Sequence, residues 1–378
     1  MSKIFFSSLS FLLCLDFAFA LPRFAVQNGS SCMACHVNPT GSGLRNDYGS
    51  NVVALEELPF KRWQAKGNED WDGTIGDHLQ VGGDFRVQGI QYGNTADTTR
   101  KSAVFPMQAE VYIYLELHEN AGMFTKLSAK NSEAEFWGLF KVLPQNGWIR
   151  VGQTLPNYGI RLDDHTSFIR YGNTPNRTSV GLDQEGLHLF WSIMGTKKPF
   201  MIELGLPFGN GFQFTASGGT PLIPIPGSPN NPYEMKNITS QLYFARSFGK
   251  FSPMFSVNFM KENNLSLMGI AGGLSFSKFT WTFELDKAEN LIDGKNSYAY
   301  YDELAWEIKQ GVHLIAKYDF FDPDEKWKTG AISRYTLGVE LFPLNVLEVK
   351  IQARLSEVDK NGFIQPDPEY LVQFHTWF

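Results

Sequence analysis

Two cysteines and a histidine form the short motif of this chain whose spacing most strongly indicates a chemistry. The residues Cys32-Met33-Ala34-Cys35-His36 match the pattern C-x-x-C-H, which attaches c-type haem. In such a site both sulfurs form thioether bonds to the haem vinyl groups, and the spacing brings both to the porphyrin edge. The next residue, His36, then binds the iron as proximal ligand. We therefore predict one haem c, bound by Cys32, Cys35 and His36.

Three other uses of the cysteine pair stay open at this level. A zinc site needs about four ligands, and the mature chain offers no second cysteine pair. A thioredoxin-like dithiol needs a βαβ context, whereas Gly, Asn, Pro and Ser surround this pair. A structural disulfide suits an exported protein but does not require the histidine that follows.

The first twenty residues predict a secretory signal peptide. A lysine supplies the positive charge, residues 11–15 lie in a short apolar core, and Ala18-Phe19-Ala20 fits the A-x-A cleavage rule. The alternative is an uncleaved anchor helix, but the apolar stretch is short for a hydrocarbon layer of about 30 Å. Cleavage after residue 20 leaves two of the three cysteines in the mature chain.

The haem motif lies in a short segment, residues 21–72, that is rich in Pro and Gly and offers one candidate helix at 44–57. About fifty residues bury a haem with little margin, so we expect the segment to pack against the rest of the chain. The sixth iron ligand stays open, because neither Met nor His occurs between Val37 and Asp77. The iron is either five-coordinate or bound by a lysine, a tyrosine, the Leu21 amine or a residue distant in sequence.

The composition excludes several classes of protein. With 43% hydrophobic residues and a net charge of -6, the chain is not a disordered polyelectrolyte, and no nucleic-acid partner is expected. A mean hydropathy of -0.21 and the lack of a second long apolar run exclude a bundle of membrane helices. The 35 glycines and 32 phenylalanines favour a β-rich protein, either a secreted sandwich or a barrel in lipid.

Alternation with a period of two runs from residue 77 to residue 378 and predicts strands with unlike faces. In residues 111–118, for example, the odd positions are apolar, whereas Tyr112, Tyr114, Glu116 and His118 share the other face. We predict about sixteen strands, most of them long enough for a tilted membrane strand of about 9–11 residues. These are 77–92, 103–118, 121–130, 133–142, 147–155, 186–194, 199–206, 238–248, 251–261, 265–276, 279–287, 298–309, 312–321, 331–342, 346–356 and 370–378.

The connections between these strands alternate between tight and long, which is typical of a bacterial outer-membrane barrel. The tight set is 119–120, 143–146, 195–198, 249–250, 277–278, 310–311 and 343–345, and the long set is 93–102, 156–185, 207–237, 288–297, 322–330 and 357–369. A water-soluble sandwich has no reason to sort its loops in this way. We therefore predict an all-β chain: a transmembrane antiparallel β-barrel over 77–378, in the outer membrane of a Gram-negative bacterium.

Taken together, a secretory signal, the sequence from Pro22 to His36 and a barrel that ends in Phe378 resemble a known family. These are the fused monohaem cytochrome c–porins of bacterial outer membranes, which include iron(II) oxidases. The likeness of motif covers residues 22–49, and the rest is a likeness of architecture. The resemblance implies a haem domain that plugs the barrel and passes electrons across the outer membrane.

The thickness of the hydrocarbon layer also favours a haem domain inside the barrel. It is about 30 Å thick, much more than one haem, so a haem in the lumen serves both sides and one in the periplasm does not. A barrel of sixteen strands has a channel wide enough to hold a plug. We therefore expect residues 21–72 to fold into the barrel.

One histidine is a candidate for the distal iron ligand. His165 lies in the third long loop, and porins often fold this loop inward. Asp163 or Asp164 would then orient its imidazole, whereas the alternative is an exposed acidic loop. The histidines of the predicted strands, at 78, 118, 188, 313 and 375, are expected to be solvated residues of the lumen.

The predicted function is electron transfer across the outer membrane through one haem c, either for iron(II) oxidation at the surface or for electron exchange with another external donor or acceptor. The expected partners are outer-membrane lipid, a periplasmic cytochrome or other electron carrier, and extracellular iron. A diffusion porin whose haem segment is a gate or sensor is the alternative. A third interpretation is an exported binding or adhesion protein.

Overall fold

The computed structural model describes residues 22–61, 73–94, 97–129, 134–162, 164, 167–169, 198–221, 235–291, 294–326, 331–360 and 363–378. A two-residue strand, β1 (Thr74–Ile75), precedes sixteen longer ones. These are β2 (Leu79–Asn94), β3 (Asp97–His118), β4 (Ala121–Ser128), β5 (Glu135–Leu143), β6 (Gly147–Gln153), β7 (Phe200–Gly209), β8 (Phe212–Gly219), β9 (Asn237–Ala245), β10 (Phe251–Glu262), β11 (Leu265–Phe276), β12 (Phe279–Glu289), β13 (Asn296–Lys309), β14 (Val312–Asp322), β15 (Ile332–Leu344), β16 (Leu347–Lys360) and β17 (Phe363–Trp377).

Strands β2 to β17 form one closed antiparallel barrel. Each strand pairs with the next along the chain, and β17 pairs with β2, with Val372 opposite Gly89. Closure leaves the sixteen strands without a free edge, as a strand surrounded by lipid requires. The predicted sixteen-stranded barrel is confirmed.

The faces of the strands are reversed relative to a water-soluble protein. Along β10 the outward side chains Phe255, Val257 and Phe259 are exposed, whereas the inward side chains Ser256 and Asn258 are buried. Apolar residues outside and polar residues inside are expected when lipid surrounds the barrel. Within the described residues, no helix has the length and apolar character needed to cross a membrane.

Aromatic side chains cluster at one end of the barrel. Phe212 stacks on Phe208, with ring centroids 6.0 Å apart, and Phe279 stacks on Trp306 at 5.6 Å. All four lie beside tight turns, at the end of the barrel that we call the short-turn end. Such a belt of aromatic rings is typical of a membrane–water interface. At the same end, Phe378 exchanges two backbone hydrogen bonds with Gly83, where β17 meets β2.

The prediction missed one strand, and one strand that it gave lies outside the described residues. The prediction missed β8 and assigned its residues to a long loop, although the turn Asn210-Gly211 has both φ angles positive, which is the requirement of a tight hairpin. The predicted strand 186–194 lies outside the described residues. Because β6 pairs directly with β7, the barrel closes without it, and β7 runs opposite to the predicted direction.

The two longest connections lie at one end, as predicted, but the same end also holds the two-residue connections 95–96, 263–264 and 361–362. The turns 119–120, 144–146, 210–211, 246–250, 277–278, 310–311 and 345–346 lie at the short-turn end. The opposite, long-loop end holds the long connections 154–199 and 220–236. The predicted loops at 93–102 and 357–369 were wrong in extent, because β2, β3, β16 and β17 continue through most of them.

Residues 22–61, the N-terminal segment, begin with helix α1 (Pro22–Asn28), which the sequence analysis missed. Proline at the first helical position suits the helix, because it lacks the N–H that would have no intrahelical partner there. A three-residue 3₁₀ helix (Cys32–Ala34) follows, and a π-helix (Gly49–Glu57) replaces the latter part of the helix predicted at 44–57.

The N-terminal segment lies against inward-facing side chains near the short-turn end. The side chain of Phe24 contacts His313 and Phe342, with ring centroids 5.7 and 6.3 Å away. Ser252 donates a hydrogen bond to the carbonyl oxygen of Gln27 at 3.1 Å. Arg23 of the segment also forms ion pairs with two glutamates of the wall, Glu303 and Glu340.

The connection from β6 to β7 also enters the lumen, and its described part (154–162, 164 and 167–169) is called the inward loop. Its Gly159 N–H donates to Asn258 Oδ1 at 2.9 Å. Asn258 lies six residues farther along β10 than Ser252, the residue that binds the N-terminal segment. The inward loop therefore lies above the N-terminal segment, farther from the short-turn end.

Candidate functional site

The cysteine motif forms a short 3₁₀ coil, and its residues Cys32, Cys35 and His36 all line one cavity. The N–H groups of Cys35 and His36 both donate to the carbonyl oxygen of Cys32, at 3.2 and 3.1 Å. Cys35 and His36 are buried, Cys32 is half-buried, and both cysteines are free thiols. This local coil brings two sulfurs and one imidazole to the same space.

Asn46 holds this coil from outside the motif, a role that the sequence analysis missed. Its backbone N–H donates to the carbonyl oxygen of Cys35 at 3.0 Å. Its side-chain Nδ2 donates to the carbonyl oxygens of Met33 and Ala34 at 3.2 and 3.1 Å. The sequence carries only a weak signal for this, because short asparagine side chains commonly bond nearby backbone groups.

Two glycines allow the backbone to approach the cysteines closely, because they have no side chain. A Cβ on Gly41 would lie 3.0 Å from both Cβ and Sγ of Cys32, and the φ of +88° at Gly41 disfavours other residues. A Cβ on Gly49 would collide with the carbonyl oxygen of Cys35. The backbone thus passes as close to Cys32 and to the carbonyl group of Cys35 as glycine permits.

The cavity lies between the N-terminal segment and the inward loop. The cavity has a volume of about 200 Å³ and is partly open to solvent. The motif forms its floor, residues of the inward loop form its ceiling, and inward side chains of the barrel form its wall. Its lining brings two cysteines and a histidine together with apolar, polar and charged side chains.

One side of the cavity, next to Cys35, is apolar and aromatic. Cys35 packs in a cluster with Phe24, Phe342 and Trp377. The ring of Trp377 lies 4.8 Å from that of His375, which also lines the cavity. Flat apolar side chains of this kind are suited to contact a porphyrin face.

Burial keeps both cysteines in the thiol form. It raises the pKa of the Cys32 thiol, although the charge of Arg161 acts in the opposite direction. Burial also raises the pKa of the Cys35 thiol to about 12, with the neighbouring Cys32 adding to the rise. At Cys35 it is the charge of Arg45 that opposes the rise in pKa, so each thiol has one guanidinium acting against burial.

The predicted distal ligand, His165, and its neighbour Asp163 lie outside the described residues. Asp164 is described, and its carboxylate contacts wall cations: its Oδ2 lies 3.4 Å from Lys317 Nζ and 3.6 Å from an Arg354 nitrogen. The described part of this connection lies against inward side chains of the barrel, as the His165 hypothesis requires and unlike the exposed acidic loop that was its alternative. The role of Asp164 there is to attach the loop to the wall.

The histidines predicted to line the lumen divide into three groups. His313 and His375 are buried and point inward. His78 and His118 are exposed at the short-turn end, so placing them in the lumen was wrong; they lie where β2 begins and β3 ends. His188 lies outside the described residues.

Solved outer-membrane proteins share the architecture of this chain. The outer membrane channel DcaP of Acinetobacter baumannii matches with a TM-score of 0.55 at 11% identity, over 79% of this chain and 97% of that one. The anion-selective porin from Comamonas acidovorans matches with 0.53 at 10% identity, over 79% and 99%. OmpT of Vibrio cholerae matches with 0.52 at 12% identity, over 81% and 99%.

The barrel has the porin fold. At such low identity the similarity concerns the fold alone and carries no site residue from one protein to another. The fold nevertheless agrees with the lipid-facing exterior and with a location in the outer membrane. No protein-family model matches the chain, and no curated protein sequence does.

Proposed function

We propose that this protein transfers electrons across the bacterial outer membrane through one haem c bound at Cys32, Cys35 and His36. A single observation carries the proposal: two thiols and an imidazole face one cavity inside the lumen of a membrane barrel. The aromatic wall beside Cys35 is suited to contact a porphyrin at this place.

The three motif residues have distinct roles in this proposal. Cys32 and Cys35 would each add across a vinyl C=C bond: an S–C bond would form, and the thiol hydrogen would end on the other vinyl carbon without any oxidant. His36 would bind the iron of that group, which would supply a one-electron couple whose potential depends on ligation and burial.

The N-terminal segment acts as a plug in this proposal. Arg23 lies in the lumen with Nη1 3.3 Å from Glu303 Oε1, and it also contacts Glu340. Gln310, in a tight turn, donates to the carbonyl oxygens of Glu56 and Pro59 at 2.8 and 3.0 Å. These contacts attach both ends of the segment to the wall, so that electrons pass where solutes do not.

The position of the cavity supports exchange with partners on both sides. A hydrocarbon layer of about 30 Å separates the periplasm from the outside, and a haem inside the lumen shortens both electron-transfer distances. A periplasmic cytochrome or other carrier is the partner at the short-turn end. Iron(II) outside the cell is one donor, and an external acceptor is the partner for flow in the other direction.

The test begins with covalent haem. The full chain is expressed with the c-type cytochrome maturation machinery, isolated from outer membranes, and stained for haem after a denaturing gel. We expect a stained band for the native chain and for Cys14→Ser, and none for Cys32→Ser/Cys35→Ser. Redox titration and spectra with and without ferrous iron then test electron transfer. A folded native chain without covalent haem contradicts the proposal.

A diffusion porin with a haem-bearing gate is the second candidate. The porin fold and the inward loop that narrows its lumen favour it. Liposome swelling separates the two functions, because an open pore admits small sugars and a plugged barrel excludes them. Swelling in sugar by the haem-loaded native chain would favour the porin.

A further inference from the structure

A turn in the N-terminal segment lies directly against the first cysteine of the motif. The turn runs from Asn38 to Gly41, and the Gly41 N–H donates to the Asn38 carbonyl oxygen at 2.9 Å. Its sequence, Asn-Pro-Thr-Gly, is typical of a type I β-turn. Because a Cβ on Gly41 would lie 3.0 Å from Cys32 Sγ, the position of the turn determines the space beside that sulfur.

A buried arginine attaches this turn to the barrel wall. Arg150 points inward from β6 and is fully buried, and its Nη1 donates to Asn38 Oδ1 at 2.5 Å. The same oxygen accepts from the N–H and the hydroxyl of Thr40, at 3.1 and 3.0 Å. One amide oxygen thus joins the two middle parts of the contact, the turn and the wall.

Arg150 also contacts two strands of the wall and the inward loop. Its guanidinium carbon lies 5.6 Å from the ring centroid of Trp137 and 5.8 Å from that of Trp148. Its Nη2 pairs with Glu203 and donates to the carbonyl oxygen of Leu155 at 3.2 Å. A planar guanidinium can make these contacts at the same time, whereas the compact ammonium of lysine cannot.

A second arginine holds the same turn from the inward loop. Arg161 Nη2 donates to Thr40 Oγ1 and to the carbonyl oxygen of Leu155, both at 3.1 Å. The carbonyl oxygen of Leu155 therefore accepts from both Arg150 and Arg161, near the start of the inward loop. The turn, the loop and the wall thus meet in one buried network of hydrogen bonds beside the first cysteine.

We propose that Arg150 is a positioning residue for Cys32: by holding the turn 38–41, it keeps this half-buried thiol in place at the cavity. The inference rests on the proposed function, in which this thiol carries one of the two haem bonds. The effect is selective, because Cys35 has a separate support: its carbonyl oxygen accepts from the Asn46 N–H. Loss of the Arg150 contact therefore opens the surroundings of Cys32 and leaves those of Cys35 unchanged.

The test measures the two thiols one at a time in full-length, haem-free protein folded in detergent micelles. All variants carry Cys14→Ser, and either Cys35→Ser or Cys32→Ser leaves a single thiol. Its rate of reaction with a maleimide is recorded at fixed pH, since burial protects a thiol from reaction. We expect Arg150→Lys to raise the rate at Cys32 several-fold and to leave the rate at Cys35 unchanged.

Two substitutions of Asn38 test the same contact without changing the arginine, which keeps the test decisive where the arginine variant does not fold. Asn38→Leu removes the acceptor and should raise the rate at Cys32, whereas Asn38→Asp keeps an oxygen there and should retain the native rate. Arg246→Lys is the matched control, because Arg246 lies over the ring of Phe248 at 5.3 Å but is exposed at the short-turn end. It should change neither rate.

Equal acceleration at both thiols would assign Arg150 a general role in stability and overturn the proposal. An unchanged rate at Cys32 in both Arg150→Lys and Asn38→Leu would overturn it too. Haem staining of the native chain tests the proposed function separately. Because the thiol rates are measured without haem, the failure of one is distinguishable from the failure of the other.

Discussion

The N-terminal segment and the inward loop both occupy the lumen, but different contacts hold them there. The segment packs apolar side chains against the wall, as Phe24 and Leu58 do in a cluster with Phe342. Arg23 adds ion pairs to Glu303 and Glu340. The segment is therefore attached by apolar packing together with ion pairs.

The inward loop packs Tyr158, Phe168 and Ile169 into an apolar cluster with the wall, and polar side chains of the wall accept several of its backbone N–H groups. Ile160 donates to Glu284 Oε2 at 2.7 Å, and Asn157 donates to Glu203 Oε1 at 2.8 Å. Because each buried N–H needs an acceptor, the wall carries acceptors at these positions. Both elements thus combine apolar packing with polar contacts, and the loop differs in that wall side chains accept several of its backbone N–H groups.

The largest effect is expected when the ionic anchor of the segment is removed. Arg23→Gln removes the cation that Glu303 and Glu340 share. Because Lys317 and Lys350 remain beside these carboxylates, we expect a cost below that of a buried charge left without any partner, which is about 3–5 kcal/mol. The segment should leave the lumen in a large fraction of molecules. We expect faster swelling of proteoliposomes in small sugars.

Lys287→Gln is the control for this prediction, because the ion pair between Lys287 and Glu289 is exposed and lies on the outside of the barrel. It should leave the swelling rate unchanged. Equal swelling of Arg23→Gln and native protein would show that Arg23 does not hold the segment.

A smaller effect is expected from the ionic contact of the inward loop. Asp164→Asn weakens the contacts to Lys317 and Arg354, and hydrogen bonds to charged groups contribute about 1.5–3 kcal/mol. Neighbouring polar contacts should keep the loop partly in place. We expect faster trypsin cleavage after Arg161 and little change in sugar permeability. Cleavage no faster than in the native protein would contradict this division of roles.

A single neutral hydrogen-bonding group should matter less. Tyr158→Phe removes the donation from the tyrosine hydroxyl to Asp286 Oδ1, at 3.0 Å, and should reduce stability by about 1 kcal/mol. The denaturant midpoint in detergent measures it. In an Asp286→Asn background the same substitution should have a different effect, because the two residues are in contact. Strict additivity would mean that this bond contributes nothing.

The smallest effect concerns pH and the π-helix of the segment. Burial, followed by the charge of Glu56, raises the pKa of Glu57 to about 7. A carboxyl whose pKa is higher in the folded state favours folding at low pH, and this contribution is lost as pH rises from about 4.5 to 7. Proteolysis within the segment should therefore be slower at pH 5 than at pH 8. In Glu57→Gln this difference should shrink, and an unchanged difference would assign the pH dependence to another group.

Much of the barrel is predictable from sequence because a period of two is a local property. Residues 251–261 and 265–276 alternate strongly, and the structure places β10 and β11 there almost unchanged. Strand β8 escaped because its sequence, FQFTASGG, has small residues on much of its outward face. Its Asn-Gly turn was the available signal, since that pair favours the hairpin with positive φ at both positions.

The candidate site is predictable only in part. Spacing identifies Cys32, Cys35 and His36, because attachment chemistry acts between neighbours in the chain. Asn46 carries no comparable pattern, and neither do Phe342 and Trp377, which complete the cavity from distant strands. Contacts over hundreds of residues depend on the register of the whole barrel, which short windows of sequence do not contain.

The sequence by itself determined the reactive motif, the reversed alternation of a barrel in lipid and the approximate number of strands, since each is a pattern among near neighbours. Only the tertiary structure decided that the motif faces a cavity, that the inward loop covers it, and that Arg23 finds its partners about three hundred residues away. The physical reason is closure: when β17 pairs with β2, inward side chains from every strand meet in one lumen, whatever their distance along the chain.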